Sequence, residues 1–174
     1  MSDNITKKNL VLGSRWSGKS LLIKRLEDIC SSSKITNDEF IYTTTTIGKT
    51  LTLLKYKRNQ TYELHELGAS LSSLWKSIYT KSAFDKIIYV IDTTQPWSIS
   101  FTLEQLKEIF EQIPIKSKNI LLVFNKANEI NSLNKTALAE LLDLDSFWKG
   151  EMDVIETNAR TGMNLSALLE WLIR

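Results

Sequence analysis

The eight residues Gly13-Ser14-Arg15-Trp16-Ser17-Gly18-Lys19-Ser20 match the pattern G-x-x-x-x-G-K-S/T in full. No other stretch constrains the fold as much, because this pattern works only as a tight turn between a strand and a helix. The apolar Leu10-Val11-Leu12 in front of it and the helix-period segment Gly18 to Ile29 behind it supply both. The glycines let the backbone turn its N–H groups inward, and the start of the helix adds the positive end of a dipole. Such a loop cradles oxyanions, so every residue from Gly13 to Ser20 is a candidate nucleotide contact. Lys19 is placed to reach the β- and γ-phosphates of a nucleoside triphosphate, and the Ser20 hydroxyl to ligate Mg²⁺.

The rest of the chain alternates short apolar runs with helix-period segments. The runs are Leu10 to Leu12, Leu51 to Tyr56, Tyr62 to Leu67, Ile87 to Ile91, Ile120 to Phe124 and Val154-Ile155. The fourth and fifth are apolar without alternation, as central parallel strands covered on both faces should be. Helices are expected at Gly18 to Ile29, Ser70 to Tyr79, Phe101 to Ile113, Lys135 to Leu142 and Leu165 to Ile173, the last with Asn164 as its cap. The second and third strands, around Arg58-Asn59-Gln60, are too close for a crossover helix and should form an antiparallel hairpin at one edge. The predicted fold is α/β: a mostly parallel, six-stranded, doubly wound sheet with one antiparallel edge hairpin, in a single domain over residues 1–174.

Composition excludes several function classes. With 174 residues and 43% hydrophobic content, one well-buried domain is expected. The net charge is +2 with no basic stripe, so nucleic acid is not an expected partner. Cys30 is the only cysteine, which excludes an internal disulfide and a zinc cluster and suits a reducing cytoplasmic setting. The start MSDNITKK has no apolar stretch, position 2 is Ser2 rather than the glycine that myristoylation needs, and the end Trp171-Leu172-Ile173-Arg174 has no prenylation cysteine. A monomer without direct membrane insertion is expected.

Beyond the phosphate loop come Thr46-Ile47-Gly48 before the hairpin, Glu66-Leu67-Gly68 after it, Asn125-Lys126-Ala127-Asn128 after a buried strand, and Asn158-Ala159-Arg160 after the last. In order and spacing these landmarks resemble the Arf-like small GTPases over nearly the whole chain. The resemblance implies a regulatory switch that binds GTP or GDP with Mg²⁺ and engages protein effectors and regulators. It implies that Thr46, the last of four threonines from Thr43, closes over the γ-phosphate and gives its hydroxyl to the metal. It implies that Glu66 stands near the metal, that Gly68 belongs to the nucleotide site, and that Lys126 packs on the purine while Asn125 ties loops together. Asn128 would read the base, with Asn158, Ala159 and Arg160 beside it and the Ala159 N–H offered to the guanine carbonyl. The family's effector-binding aromatic positions match Lys49, His65 and Ile78 here, and Trp75 lies in the switch helix.

This chain departs from the family pattern at four places, all at the chemistry. Asn128 replaces an Asp that accepts from both guanine donors, and Asn has a single acceptor oxygen. Glu66 replaces an Asp, so its extra methylene has to fit an octahedral ion. Ala69-Ser70 replaces Gly and a Gln that orients the attacking water, and Ser70 is too short to do so. Arg15 replaces a small residue, where it either crowds an activator, adds charge in cis or simply lies in solvent. Weak intrinsic hydrolysis and weak guanine selectivity are the resulting expectations. A non-hydrolysing interaction scaffold is an alternative. A P-loop small-molecule kinase is disfavoured by the lack of a clustered arginine lid segment.

Overall fold

The computed structural model describes residues 5–32, 43–56, 60–112, 119–144 and 153–174. Six strands, β1 (Ile5–Gly13), β2 (Lys49–Tyr56), β3 (Gln60–Leu67), β4 (Lys86–Asp92), β5 (Ile120–Asn125) and β6 (Asp153–Glu156), form one sheet in the order β2-β3-β1-β4-β5-β6. Only β2 and β3 pair antiparallel, with Lys49 opposite Leu67 and Tyr56 opposite Gln60. The other pairings are parallel. The turn residues Arg58 and Asn59 lie outside the described residues.

The helices are α1 (Lys19–Ser32), α2 (Ser72–Lys81), α3 (Ile99–Gln112), α4 (Lys135–Leu141) and α5 (Leu165–Ile173). Every residue of β4 and β5 is buried, because helices cover both sheet faces. Outward from one face, Leu12, Tyr89, Ile91, Leu122 and Phe124 pack with Trp75, Leu106, Ile109 and Leu138 of α2, α3 and α4. On the other, Val11, Ile88, Val90, Leu121 and Val123 pack with Leu22 and Leu26 of α1 and with Leu168 and Leu172 of α5. These two cores hold the sheet rigid, and the loops at its carboxyl edge carry the candidate site, as doubly wound sheets generally arrange.

Several boundaries differ from the sequence expectation. β1 starts at Ile5, since its leading residues gain ladder bonds to β3 although they are polar. α2 starts at Ser72 after a 3₁₀ turn over Ala69–Leu71, where a helix from Ser70 was expected. A second 3₁₀ turn, Pro96–Ser98, leads into α3. The cap expected of Asn164 is not made. This residue is in the left-handed region at φ 57, its side chain caps no N–H, and its Nδ2 instead donates to Glu156 O at 2.9 Å. A cap needs extended backbone at that position.

Candidate functional site

The loop between β1 and α1 takes its shape from contacts that exclude a side chain. Gly13 has φ +143 and a Cβ there would collide with Val90 O; Gly18 has φ +89 and a Cβ there would collide with the Asn125 amide. Between them Trp16 sits in the left-handed region at φ 62, 64% exposed, with the Arg15 guanidinium 4.6 Å from its ring centre.

Lys19, the first residue of α1, folds back over the loop. Its Nζ donates to Gly13 O at 2.9 Å, Ser14 O at 2.8 Å and Ser17 Oγ at 3.4 Å. Burial lowers its pKa to about 8, and the nearby Glu66 carboxylate opposes that shift.

The three residues expected at the metal come together. Ser20 Oγ donates to Glu66 Oε1 at 2.7 Å, Thr46 Oγ1 donates to the same oxygen at 3.0 Å, and the two hydroxyls are 3.0 Å apart. Glu66 is at the end of β3 and 4% exposed, so its longer side chain spans the gap to α1. A cluster of hard oxygen donors around one carboxylate suits Mg²⁺, which usually takes one or two carboxylates and keeps several waters. Among the described residues there is no group of three or more His, Cys, Asp or Glu that could hold a metal.

A cavity of about 830 Å³ opens over the loop, within the size range of nucleotide and cofactor sites. Ser14, Arg15, Trp16, Gly18, Lys19, Ser20, Thr46, Glu66, Gly68 and Lys126 all line it. Gly68 is fixed there by its N–H to Gly48 O at 2.8 Å, and its carbonyl accepts the Trp75 indole N–H at 3.2 Å. Trp75 is 1% exposed, so α2 hangs from this carbonyl.

Beside the cavity, Asn125 joins three loops. Its Nδ2 donates to Ser17 O at 2.8 Å, and its Oδ1 accepts from Thr157 Oγ1 at 3.2 Å and from Ala159 N at 3.1 Å. The last bond engages the Ala159 N–H, the group expected to meet a guanine carbonyl, with the Asn125 side chain. Asn158 shapes its own loop, with Oδ1 accepting from Arg160 N at 3.0 Å and Thr161 N at 3.2 Å and Nδ2 donating to Ala127 O at 3.1 Å. Asn128 is exposed with φ 64, and its Nδ2 donates to Met163 Sδ at 3.1 Å.

Two contributors were not found from sequence. Asp92, 1% exposed at the end of β4, accepts Lys126 Nζ at 2.6 Å and Thr94 Oγ1 at 2.7 Å. It fixes the lysine stem over the cavity. An acid ending a buried parallel strand at its carboxyl edge was the available signal. Arg25 of α1 donates from Nε to Ala159 O at 3.3 Å; nothing in its position on a helix-period segment announces that role. Of the effector positions, Lys49 is exposed, whereas His65 is 8% exposed and bonded to Glu63 at 2.8 Å.

Comparison with known proteins agrees with this geometry. Human ADP-ribosylation factor-like protein 16 is 29% identical over 167 residues, covering 94% of this chain and 83% of the relative. ADP-ribosylation factor-like protein 5 of Dictyostelium discoideum is 27% identical, covering 98% of this chain and 88% of the relative. Among solved structures, the Arl6 small GTPase of Trypanosoma brucei with the bound nucleotide analogue GppNp superposes with a TM-score of 0.77 at 17% identity, covering 97% of this chain and 96% of that one. The mammalian SRP receptor gives a TM-score of 0.71 at 17% identity, covering 95% and 98%. With the ADP-ribosylation factor family model matching residues 2–174 on a sheet and phosphate loop of the small-GTPase kind, the chain belongs to the ADP-ribosylation factor family.

Proposed function

We propose that the protein is a regulatory switch that binds GTP or GDP with Mg²⁺ and hydrolyses GTP weakly. The observation that supports this best is the contact of Thr46 with Ser20 and Glu66 at 3.0 Å each. A segment far along the chain thereby docks on the phosphate loop at the place where a metal would be held, which is what a nucleotide-sensing loop needs. Ser20, Thr46 and Glu66 would hold the ion. When bound, the ion neutralises charge on the phosphate oxygens. The chain's own part is to orient: Lys19 is poised beside the loop carbonyls, and the backbone from Gly13 to Ser20 forms the cradle.

Hydrolysis is slow in this reading because Ser70 lines the cavity with a hydroxyl too short to orient a water on the terminal phosphate. Guanine selectivity is weak because Asn128 commits its NH₂ to Met163 and keeps one acceptor for two base donors. Effectors and regulators would read the segments around Thr46 and Gly68. The same reading has the protein monomeric and cytoplasmic; among the described residues no helix is long and apolar enough to cross a membrane.

A second reading, a scaffold without turnover, draws on the bonds that Lys19 and Glu66 make within the chain. Extraction of nucleotide from purified wild type and Lys19→Ala separates the readings. Guanine nucleotide in the wild type and its loss in the variant are expected, with single-turnover hydrolysis below an ordinary small-GTPase rate. ATP in the extract, or none at all, would point to the kinase or the scaffold.

A further inference from the structure

The charged groups of the cavity differ in how they are engaged. Lys19 is taken by the carbonyls of Gly13 and Ser14, Lys126 by the carboxylate of Asp92, and Glu66 by the hydroxyls of Ser20 and Thr46. Arg15 also lines the cavity and is exposed, and among the described residues its partner is the Trp16 ring, 4.6 Å from the guanidinium carbon. An indole ring attracts a cation through its face but supplies no lone pair, so the N–H fork of Arg15 receives no acceptor from it.

Trp16 makes this contact from an unusual backbone. A bulky residue at φ 62 is a rare and costly choice in a loop that glycine or asparagine would suit better. In that conformation the ring lies beside Arg15. Gly68, Ala69 and Ser70 line the same cavity, and none of the three has a side chain long enough to reach across it. A planar guanidinium with free N–H donors matches phosphate oxygens in pairs, which a lysine ammonium does not.

Building on the nucleotide-switch reading above, we propose that Arg15, steadied by the Trp16 ring, is a specificity residue that contacts the terminal phosphate and makes the protein favour nucleoside triphosphate over diphosphate. Arg15 touches the ligand; Trp16 acts through Arg15 and is a positioning residue.

Calorimetric binding of GDP and of a non-hydrolysable GTP analogue, both with Mg²⁺, to the full chain tests this. Arg15→Ala should lower the triphosphate-to-diphosphate affinity ratio about tenfold or more, with GDP affinity changed by less than about twofold. Arg15→Lys should restore part of the ratio, because it returns charge without the fork. Trp16→Gly should lower the ratio less than Arg15→Ala does, and glycine suits the backbone there, so the fold is kept. Equal weakening of both ligands by Arg15→Ala, or an unchanged or higher ratio, overturns the proposal while leaving the switch reading in place. A wild type that binds neither nucleotide overturns both.

Discussion

Tyr79 places its hydroxyl in the core with no hydrogen-bond partner among the described residues and is 7% exposed. A buried hydroxyl left unpaired costs about 1–3 kcal/mol, so Tyr79→Phe should be neutral or stabilising at neutral pH. Burial, and next the nearby Glu108 carboxylate, push the phenol from 10.0 up to about 12. Below its ordinary value the phenol is neutral in both states and the folded form loses nothing. As pH rises from 10.0 towards about 12 the unfolded chain ionises first, and stability is lost. Urea unfolding at neutral pH and again above pH 10 should show Tyr79→Phe losing less stability than the wild type over that interval. At this scale the loop residues Gly13 to Ser20 were legible because the motif names their chemistry one by one. Asp92 was not, since an acid after an apolar run reads equally as the first solvated loop residue until its bond to Lys126 is seen.

Among the elements, α2 shows how a helix can be tied to the site. Its N-cap residue Leu71 provides no side-chain bond, and the indole N–H of Trp75 bonds Gly68 O instead. Trp75→Phe keeps most of the apolar burial but removes that donor, and a loss of about 1–2 kcal/mol is expected by denaturant titration. The same variant should raise amide exchange from Ala69 to Trp75, because only the backbone bonds of the 3₁₀ turn, Leu71 N to Gly68 O and Ser72 N to Ala69 O, then hold the start of the helix. The strands were legible since β4 and β5 are apolar without a break, a pattern that only a sheet covered on both faces permits. The polar start of β1 was not legible, because its pairing with β3 depends on ladder bonds that carry no side-chain signature. Neither was the 3₁₀ turn after Gly68, which the apolar spacing of the segment conceals. Asn164 misled for a related reason: its residue type suits a cap, but its backbone, set by the turn around Gly162, does not.

At the scale of the whole molecule, folding and ligand binding are linked through the cavity. A ligand that binds only the folded state stabilises it by about 2.7 kcal/mol at a hundredfold excess over its dissociation constant. Thermal unfolding with GTP analogue and Mg²⁺ should therefore give a Tm several degrees above that of the nucleotide-free chain. Chelating the ion should remove part of the gain, and Glu66→Ala should remove that part beforehand. An equal Tm with and without ion would argue against Ser20, Thr46 and Glu66 as ligands. The doubly wound architecture was readable from the alternation of segments, and the family from the order of its landmarks. What could not be read was the degree to which the site is already closed on itself, since that depends on side-chain reach across β3, α1 and the Thr46 segment.

Glu66 provides that reach. Its Oε1 lies on both hydroxyls that a divalent cation would claim, so the cation enters by exchange: existing bonds part before new ones form. Part of the ion's coordination energy would then go into parting those bonds, so it would bind less tightly than to oxygens without partners.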